Sequence, residues 1–338
     1  MKLGNISVSH LEIVAKTMAK FDCNVTELFA QYSLSPAVIA SPDARISIPK
    51  LMHIGNTCIS LTGKPWLGLE MGLMTSPTNL GVAGLIAMAS NDLKQLCSAI
   101  ADYEVLNSFN VRGQSKFYLA QKAGSSDGVL EFYSLAPYNE YNYFVVDSVL
   151  SGWMNVIKQL IGSNAVFKKV CFEFPEPNYG EKYSQHFDCE VLFNQSANKL
   201  VINAEYLSKP CLYSCQSLYQ LLKRQADHEI DHIQSALTFT EKVARAITPL
   251  LNVSTPTIDQ VAEQLNIAPW TMRRNLINEG GSFQKVLNET RRDLAMTYVG
   301  STRLSLGEIA YLLGFGSTTA FQHAFKRWTG QAPGSYRR

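Results

Sequence analysis

Thr257-Ile-Asp-Gln-Val-Ala-Glu-Gln-Leu-Asn-Ile267, continuing as Ala268-Pro-Trp-Thr-Met-Arg-Arg-Asn-Leu276, is a design this chain uses twice. The second copy runs Ser305-Leu-Gly-Glu-Ile-Ala-Tyr-Leu-Leu-Gly-Phe315 and continues as Ser317-Thr-Thr-Ala-Phe-Gln-His-Ala-Phe325. In each copy apolar residues recur at helical spacing, a short break follows, and a second helix with a polar outer face begins. Ile258, Val261, Ala262 and Leu265 form one buried stripe, and Leu306, Ile309, Ala310 and Leu313 form its twin. The alanine lets the following helix cross closely. Met272 and Leu276, and likewise Phe321 and Phe325, face inward on the second helices. Thr257 with Gln260, and Ser305 with Glu308, fit capping boxes that set where each first helix starts. Leu306 follows Ile258 by 48 residues and Phe321 follows Met272 by 49, so the second copy carries one extra residue in its Gly314-Phe-Gly turn. This is the layout of a helix-turn-helix, about 257–279 and again about 305–329, whose second helix enters a DNA major groove.

Residues 282–299 bridge the copies with Phe283, Val286, Leu287, Thr290, Leu294 and Tyr298 on one helical face. At about 1.5 Å per residue the bridge spans roughly 27 Å. Successive major-groove faces lie about 34 Å apart, so the bridge can set both recognition helices on one side of a duplex, with DNA bending absorbing the shortfall. Charge agrees with a phosphate-bearing partner. The net charge of the chain is only +2, but residues 240–338 carry twelve Lys/Arg against seven Asp/Glu, which leaves the remainder at −3.

A chain of 338 residues exceeds one ordinary core, so two domains are expected. Residues 6–32 read as helix broken at Asp22–Asn24, residues 48–61 as a helix opened by Pro49, and residues 91–103 as a capped helix. Phe109 to Tyr133 reads as a hairpin turning at Gly124-Ser-Ser-Asp-Gly128, Val145 to Ile161 as helix, and the segments about Val170, Val191 and Leu200 as strands. Leu212 to Leu237 contains no Gly or Pro and reads as one long helix. The expected fold class is an α+β N-terminal domain (1–205), a helical linker (206–239), and an all-α C-terminal domain (240–338) with two helix-turn-helix motifs joined by a linker helix. Leu67 to Ala89, the most membrane-like stretch, is interrupted by Glu70, Pro77 and Asn79 and reads as buried globular structure. Seven cysteines at irregular spacing, with no export signal at the N-terminus, point to buried thiols in a reducing cytoplasm.

From Thr257 onward the chain resembles the DNA-binding domain of the AraC/XylS transcription regulators. The resemblance is carried by Gly314-Phe-Gly-Ser-Thr-Thr-Ala-Phe-Gln-His-Ala-Phe-Lys-Arg-Trp-Thr-Gly-Gln-Ala-Pro-Gly-Ser-Tyr-Arg337. It implies groove-facing residues Trp270, Arg273 and Arg274 in the first copy, and Thr318, Thr319, Gln322 and His323 in the second. Their chemistry suits the role: arginine takes guanine bidentately, glutamine takes adenine, and threonine or indole carbon packs on a thymine methyl. Lys326 and the helix N-termini would hold phosphates. Two departures from the family pattern stand out. His323 stands where arginine is usual, which makes that contact weaker or pH-dependent. Asn275 and Ile277 replace residues that are commonly polar or basic. Trp270 also admits a packing reading. Arg291 and Arg292 read as salt-bridged or solvated surface, and Arg337 and Arg338 as a solvated end.

The N-terminal part resembles the family's arabinose-binding-like effector domain through Leu67-Gly-Leu-Glu-Met-Gly72, Leu80-Gly-Val-Ala-Gly-Leu-Ile-Ala-Met-Ala-Ser90, and Val170-Cys-Phe-Glu-Phe-Pro-Glu-Pro177 with Tyr183 and Phe187. Phe174 stands where a histidine is frequent. The label names no ligand, because members respond to varied small molecules. The aromatic run from Pro137 to Phe144 reads either as an effector-pocket lining or as packed core.

Two metal readings compete. His228-Glu-Ile-Asp-His232 matches H-E-x-x-H, and Cys211, Cys215, His228 and His232 match zinc-finger spacing. On one continuous helix Cys215 and His228 would lie roughly 20 Å apart and share no ion. No catalytic residue, metal or cofactor is expected. The expectation is a cytoplasmic, non-enzymatic regulator that binds double-stranded DNA as a homodimer, answers a small-molecule effector, contacts RNA polymerase if it activates, and does not enter a membrane. The alternatives are a constitutive DNA binder whose front domain only dimerises, and a zinc hydrolase using His228, Glu229 and His232.

Overall fold

The computed structural model describes residues 4–41, 43–110, 113–122, 125–134, 138, 140–163, 165–235, 237–252 and 255–337. Contacts divide them into two compact units, one holding residues 5–109 and 114–230, the other residues from Asp231 onward, with Gly4, Asn110 and Gly113 also assigned to it. The first mixes helices and sheets, and from Asp231 onward every element is helical, in line with the expected α+β and all-α classes.

In the first unit, β1 (Gly4–Ser7), β2 (Arg45–Ser47) and β3 (Ser108–Asn110) form a small sheet in the order β2-β1-β3. β4 (Lys116–Lys122), β5 (Ser125–Phe132), β6 (Phe167–Cys171), β7 (Glu190–Leu192) and β8 (Asn198–Ile202) form a larger one in the order β4-β5-β8-β6-β7. All its neighbours are antiparallel except β6 and β7. A parallel pair needs a crossover, and the helix Glu181–His186 lies in that connection. Leu200 pairs with Leu130 on one side and Val170 on the other, so three wholly buried side chains align across the strands. They share a core with Trp153, Val156, Ile157 and Leu160 of the long helix Glu140–Ile161.

The motif Leu67-Gly-Leu-Glu-Met-Gly72 has a packing reason. The helix Leu67–Leu73 lies hard against Glu140–Ile161. A Cβ on Gly68 would come within 2.6 Å of the Phe144 carbonyl oxygen, and one on Gly72 within 2.1 Å of Ser151 Oγ. Only glycine at both positions permits this approach.

Several sequence readings need correction. Ile6 lies not on a helix but on β1, opposite Ile46, and the helices are Ser9–Lys20 and Val25–Gln31. The break between them is real, with Asp22 in the left-handed region at φ 55°. Ser125 to Gly128 are already strand, Gly128 facing Leu119, and Gly124 of the expected turn lies outside the described residues. The linker helix spans Gln216–Ser235 and starts later than Leu212. The Leu212 amide donates to Leu160, Cys211 to Asn91 and Cys215 to Ala89, and these bonds hold the segment off helical geometry. Its buried face is set by Tyr219 and Ala226, with Leu222 and Ile230 half-buried, whereas Leu218, Leu221 and Ile233 are exposed. All seven cysteines are free thiols, but Cys215 is exposed.

The C-terminal unit opens with the helix Phe239–Ile247, started by a Thr238–Glu241 capping box. The first copy follows as Ile258–Gln264 and Pro269–Asn278, then the bridge Phe283–Ser301. The second copy is Leu306–Leu312 and Thr318–Thr329, closed by Pro333–Tyr336. Phe239–Ile247 touches both helices of the first copy and the bridge, and the bridge touches both helices of the second.

Candidate nucleic-acid interface

Each repeat is fixed at its start by the expected reciprocal cap. The Gln260 amide donates to Thr257 Oγ1 at 3.3 Å while the Thr257 amide donates to Gln260 Oε1 at 2.9 Å. Glu308 and Ser305 exchange the same bonds at 3.2 and 2.6 Å. Such a cap stabilises a helix start by about 1 kcal/mol.

The turns repeat the same geometry. Asn266 (φ 52°) and Gly314 (φ 67°), 48 residues apart, both adopt the left-handed conformation that ends a helix. The next amide reaches back in each case, Ile267 to the Ala262 carbonyl at 3.0 Å and Phe315 to Ala310 at 2.9 Å. The chain then leads to Ala268 in the first copy and, one residue later, to Ser317 in the second. The extra residue of copy two therefore lies after the reversal, where a Cβ on Gly316 would meet nothing within 4 Å.

Burial orients the second helices. Met272 and Leu276 in the first, and Phe321 and Phe325 in the second, are essentially inaccessible. Trp270, Arg273 and Arg274 are accordingly exposed, Trp270 at 63% of its surface. That exposure removes the packing reading of Trp270. The Arg274 guanidinium carbon lies 5.0 Å from the centroid of the Trp270 ring, so the two form a cation–π platform. Thr319, Gln322, His323 and Lys326 are exposed at spacing i, i+3, i+4, i+7, one stripe of the second helix. Thr318 is half-buried and turned partly toward the preceding helix, where a Cβ on Gly307 would lie 3.6 Å from its Oγ1. Ile277, 68% exposed, extends the outer face of the first helix beyond Arg274.

The supports of these helices are what sequence reading missed. Arg291 is buried rather than salt-bridged or solvated. Its Nε donates to the Leu313 carbonyl at 2.9 Å, and its Nη2 donates to the Gly314 carbonyl at 3.0 Å and to Thr255 Oγ1 at 2.9 Å. Burial pulls its pKa down, yet a guanidinium stays charged, so a cation caps the carbonyl end of the helix Leu306–Leu312. It also lies 5.0 Å from the Phe315 ring centroid. Arg292 does pair with a neighbour, Asp293, at 3.0 Å. Arg337 is no solvated end: it donates to the Leu304 carbonyl and, at 3.4 Å, to that of Val299. Arg338 lies outside the described residues. Tyr336 packs edge-on against Phe325 with centroids 5.3 Å apart. Glu279, just past the first recognition helix, accepts the amides of Phe239 and Thr240 at 2.9 and 2.8 Å and the Thr240 hydroxyl at 2.6 Å. The Thr240 hydroxyl, helped by both amides, lowers its pKa. No local pattern marks Glu279 or Arg291, because both act across long sequence separations.

Of the twelve basic residues in this region, Arg291 and Arg337 are thus spent on protein carbonyls. Arg273, Arg274, Lys285, Arg303, Lys326 and Arg327 are exposed.

The metal readings fail on geometry. Gln216–Ser235 is one helix, so Cys215 and His228 stand roughly 20 Å apart along it. Among the described residues no three His, Cys, Asp or Glu side chains gather as a metal site would require. No helix among them is long and apolar enough to cross a membrane.

In the first unit, Phe174 is buried, 4.5 Å from Tyr143 and 5.0 Å from Phe172 between ring centroids. Of the aromatic run, Pro137 and Asn139 lie outside the described residues, as do the side chains of residues 140–142. Tyr138 and Tyr143 are half-buried and Phe144 is buried.

Comparison with known proteins agrees with this architecture. Residues 23–211 match the model of the arabinose-binding domain of AraC transcription regulator, N-terminal, and residues 261–338 match a helix-turn-helix domain. The ornithine utilization regulator of Pseudomonas aeruginosa is 26% identical over 336 residues, covering 98% of this chain and 96% of its own. The transcriptional regulator VirS of Mycobacterium tuberculosis is 20% identical, covering 100% of this chain and 98% of its own. The crystal structure of CdpR from Pseudomonas aeruginosa aligns with 92% of this chain and 96% of its own at 20% identity and a TM-score of 0.40.

Proposed function

We propose, on the premise that this chain belongs to the AraC-type transcription regulators with an arabinose-binding-type N-terminal domain, that it reads a two-part DNA site through the outer faces of its two recognition helices. The observation that supports this most is the matched pair of exposed polar stripes, Trp270, Arg273 and Arg274 on one helix and Thr319, Gln322, His323 and Lys326 on the other. Arg273 and Arg274 take guanine edges, Gln322 takes adenine, and Trp270 packs on a thymine methyl. Thr318 makes a smaller contribution, since it is half-buried. Lys326 and the helix N-termini neutralise phosphate.

In this reading residues 1–205 bind a small-molecule effector and dimerise, residues 206–239 connect, and residues 240–338 hold DNA in the cytoplasm without enzymatic activity. An effector regulates only if it binds one arrangement of the protein more tightly than another. Two protomers on paired sites, and RNA polymerase beside them at an activated promoter, are the expected partners. The test is selection of bound sequences from random duplex DNA by the full chain, with and without small metabolites. Enrichment of a motif with two elements about one helical turn apart is expected. A flat, unenriched pool would overturn the reading. A motif bound identically whatever metabolite is present would favour a constitutive binder with a purely dimerising front domain.

A further inference from the structure

A carboxylate inside the N-terminal unit lacks a counter-ion among the described residues. Asp147, on the third turn of the helix Glu140–Ile161, is wholly shielded from solvent. Both its oxygens lie 2.9 Å from a single hydroxyl, that of Tyr183, which is itself buried. One proton therefore serves two acceptors. His186 is engaged elsewhere, 2.7 Å from Ser151 Oγ. One flank of Asp147 is closed by the helix Leu67–Leu73, where a Cβ on Gly68 would sit 2.7 Å from the Asp147 Cβ.

The other surroundings are aromatic. Tyr143 lies one helical turn earlier on the same helix, its ring centroid 4.5 Å from that of Phe174, which in turn lies 6.4 Å from Tyr183. Tyr179 stacks on Tyr183 with centroids 6.0 Å apart, and Trp66 stands 6.1 Å beyond Tyr179. Tyr143, Tyr179 and Trp66 are all half-buried, so solvent reaches this rim although it does not reach the carboxylate. The rim already attracts ammonium groups: the Nζ atoms of Lys64 and Lys182 lie 5.5 and 5.3 Å from the Trp66 ring centroid.

Burying a carboxylate beside one neutral donor is costly, and an ammonium ion supplied past an aromatic rim would turn that cost into an ion pair with cation–π support. Burial holds the Asp147 carboxyl well above the usual range, and the Tyr183 hydrogen bond offsets only part of that rise. We propose that the effector of this protein is a small amine whose ammonium group seats against Asp147, bordered by Tyr143, Tyr179 and Trp66. The proposal rests on the regulator reading and names its ligand class.

The test is calorimetric titration of the full chain, without DNA, with n-butylamine and 1,4-diaminobutane at neutral pH and with 1-butanol as the uncharged counterpart. Saturable one-to-one binding of an amine is expected, with 1-butanol bound at least tenfold more weakly. Asp147→Asn, which keeps an acceptor for Tyr183 and removes the charge, should weaken amine binding at least tenfold. A second readout is the infrared difference spectrum of the unaltered protein, in which the amine should remove a buried carboxylic-acid carbonyl band. That readout holds even if the variant does not fold. No amine binding, equal binding of 1-butanol, undiminished binding by a folded Asp147→Asn, or an unchanged carbonyl band would each overturn the proposal. DNA selection is a separate measurement, so failure here leaves the DNA-binding reading standing, and failure there does not touch amine binding.

Discussion

The Trp270–Arg274 platform makes a quantitative prediction about DNA reading. Arg274→Ala removes a two-pronged contact to guanine, which costs about 1–3 kcal/mol, or roughly five- to 150-fold in affinity, and relaxes base preference at one position. Trp270 adds a second effect, because the guanidinium 5.0 Å from its ring is held partly in place before DNA arrives. At an exposed site such a stack is worth about 0.5–1 kcal/mol. Trp270→Ala should therefore lose its own contact and also make Arg274 pay that ordering cost on binding. The double variant should be less damaged than the sum of the singles by about 0.5–1 kcal/mol, a coupling of roughly two- to fivefold. Fluorescence anisotropy with the selected duplex at one fixed salt concentration measures all four corners of the cycle. Additivity within about 0.3 kcal/mol would refute the platform. Unchanged affinity and preference in Arg274→Ala would refute the assignment of this helix face to DNA.

Other expectations can be checked independently. His323→Arg should tighten operator binding and steepen its salt dependence, since it adds a permanent cation on the exposed stripe, and equal or weaker binding rejects the role given to this position. Arg291→Met keeps most of the apolar stem but strands the Leu313 and Gly314 carbonyls, so the C-terminal unit should lose about 2–4 kcal/mol in urea unfolding followed by tryptophan fluorescence. A loss below about 0.5 kcal/mol would mean that water replaces the guanidinium without cost. Asp147 predicts a pH dependence. Its folded pKa is raised, so between about pH 4 and that higher value the folded state keeps a proton that the unfolded chain has released, and stability falls as pH rises. Asp147→Asn should flatten that decline and be the more stable form at neutral pH; denaturation midpoints at about pH 5 and about pH 8 decide it, and parallel behaviour of the two proteins counts against a raised pKa.

Some of the molecule was legible because the information is local. A capping box needs two residues three apart, so Thr257–Gln260 and Ser305–Glu308 could be read directly, and each forms as expected. The inward pairs Met272/Leu276 and Phe321/Phe325 followed from helical period, and their burial left the polar faces outward. Local pattern failed where a partner lay far along the chain. Ile6 looked helical until Ile46 claimed it for a sheet. The helix Gln216–Ser235 buries Tyr219 and Ala226 and leaves Leu218 and Leu221 exposed, because the face that a helix buries is chosen by the surface it meets.

The repeats, their caps, their turns and the continuous linker helix that rules out a shared metal were determined by sequence, since each depends on residues within a few positions of one another. The roles of Arg291, Arg337 and Glu279 as braces, the stacking of Arg274 on Trp270, and the isolation of Asp147 beneath its aromatic rim were decided only in three dimensions. The physical reason is that a charge's meaning depends on what surrounds it. The same residue type is a solvated surface group, a cap on a helix end or a buried unpaired acid according to neighbours that only folding brings near.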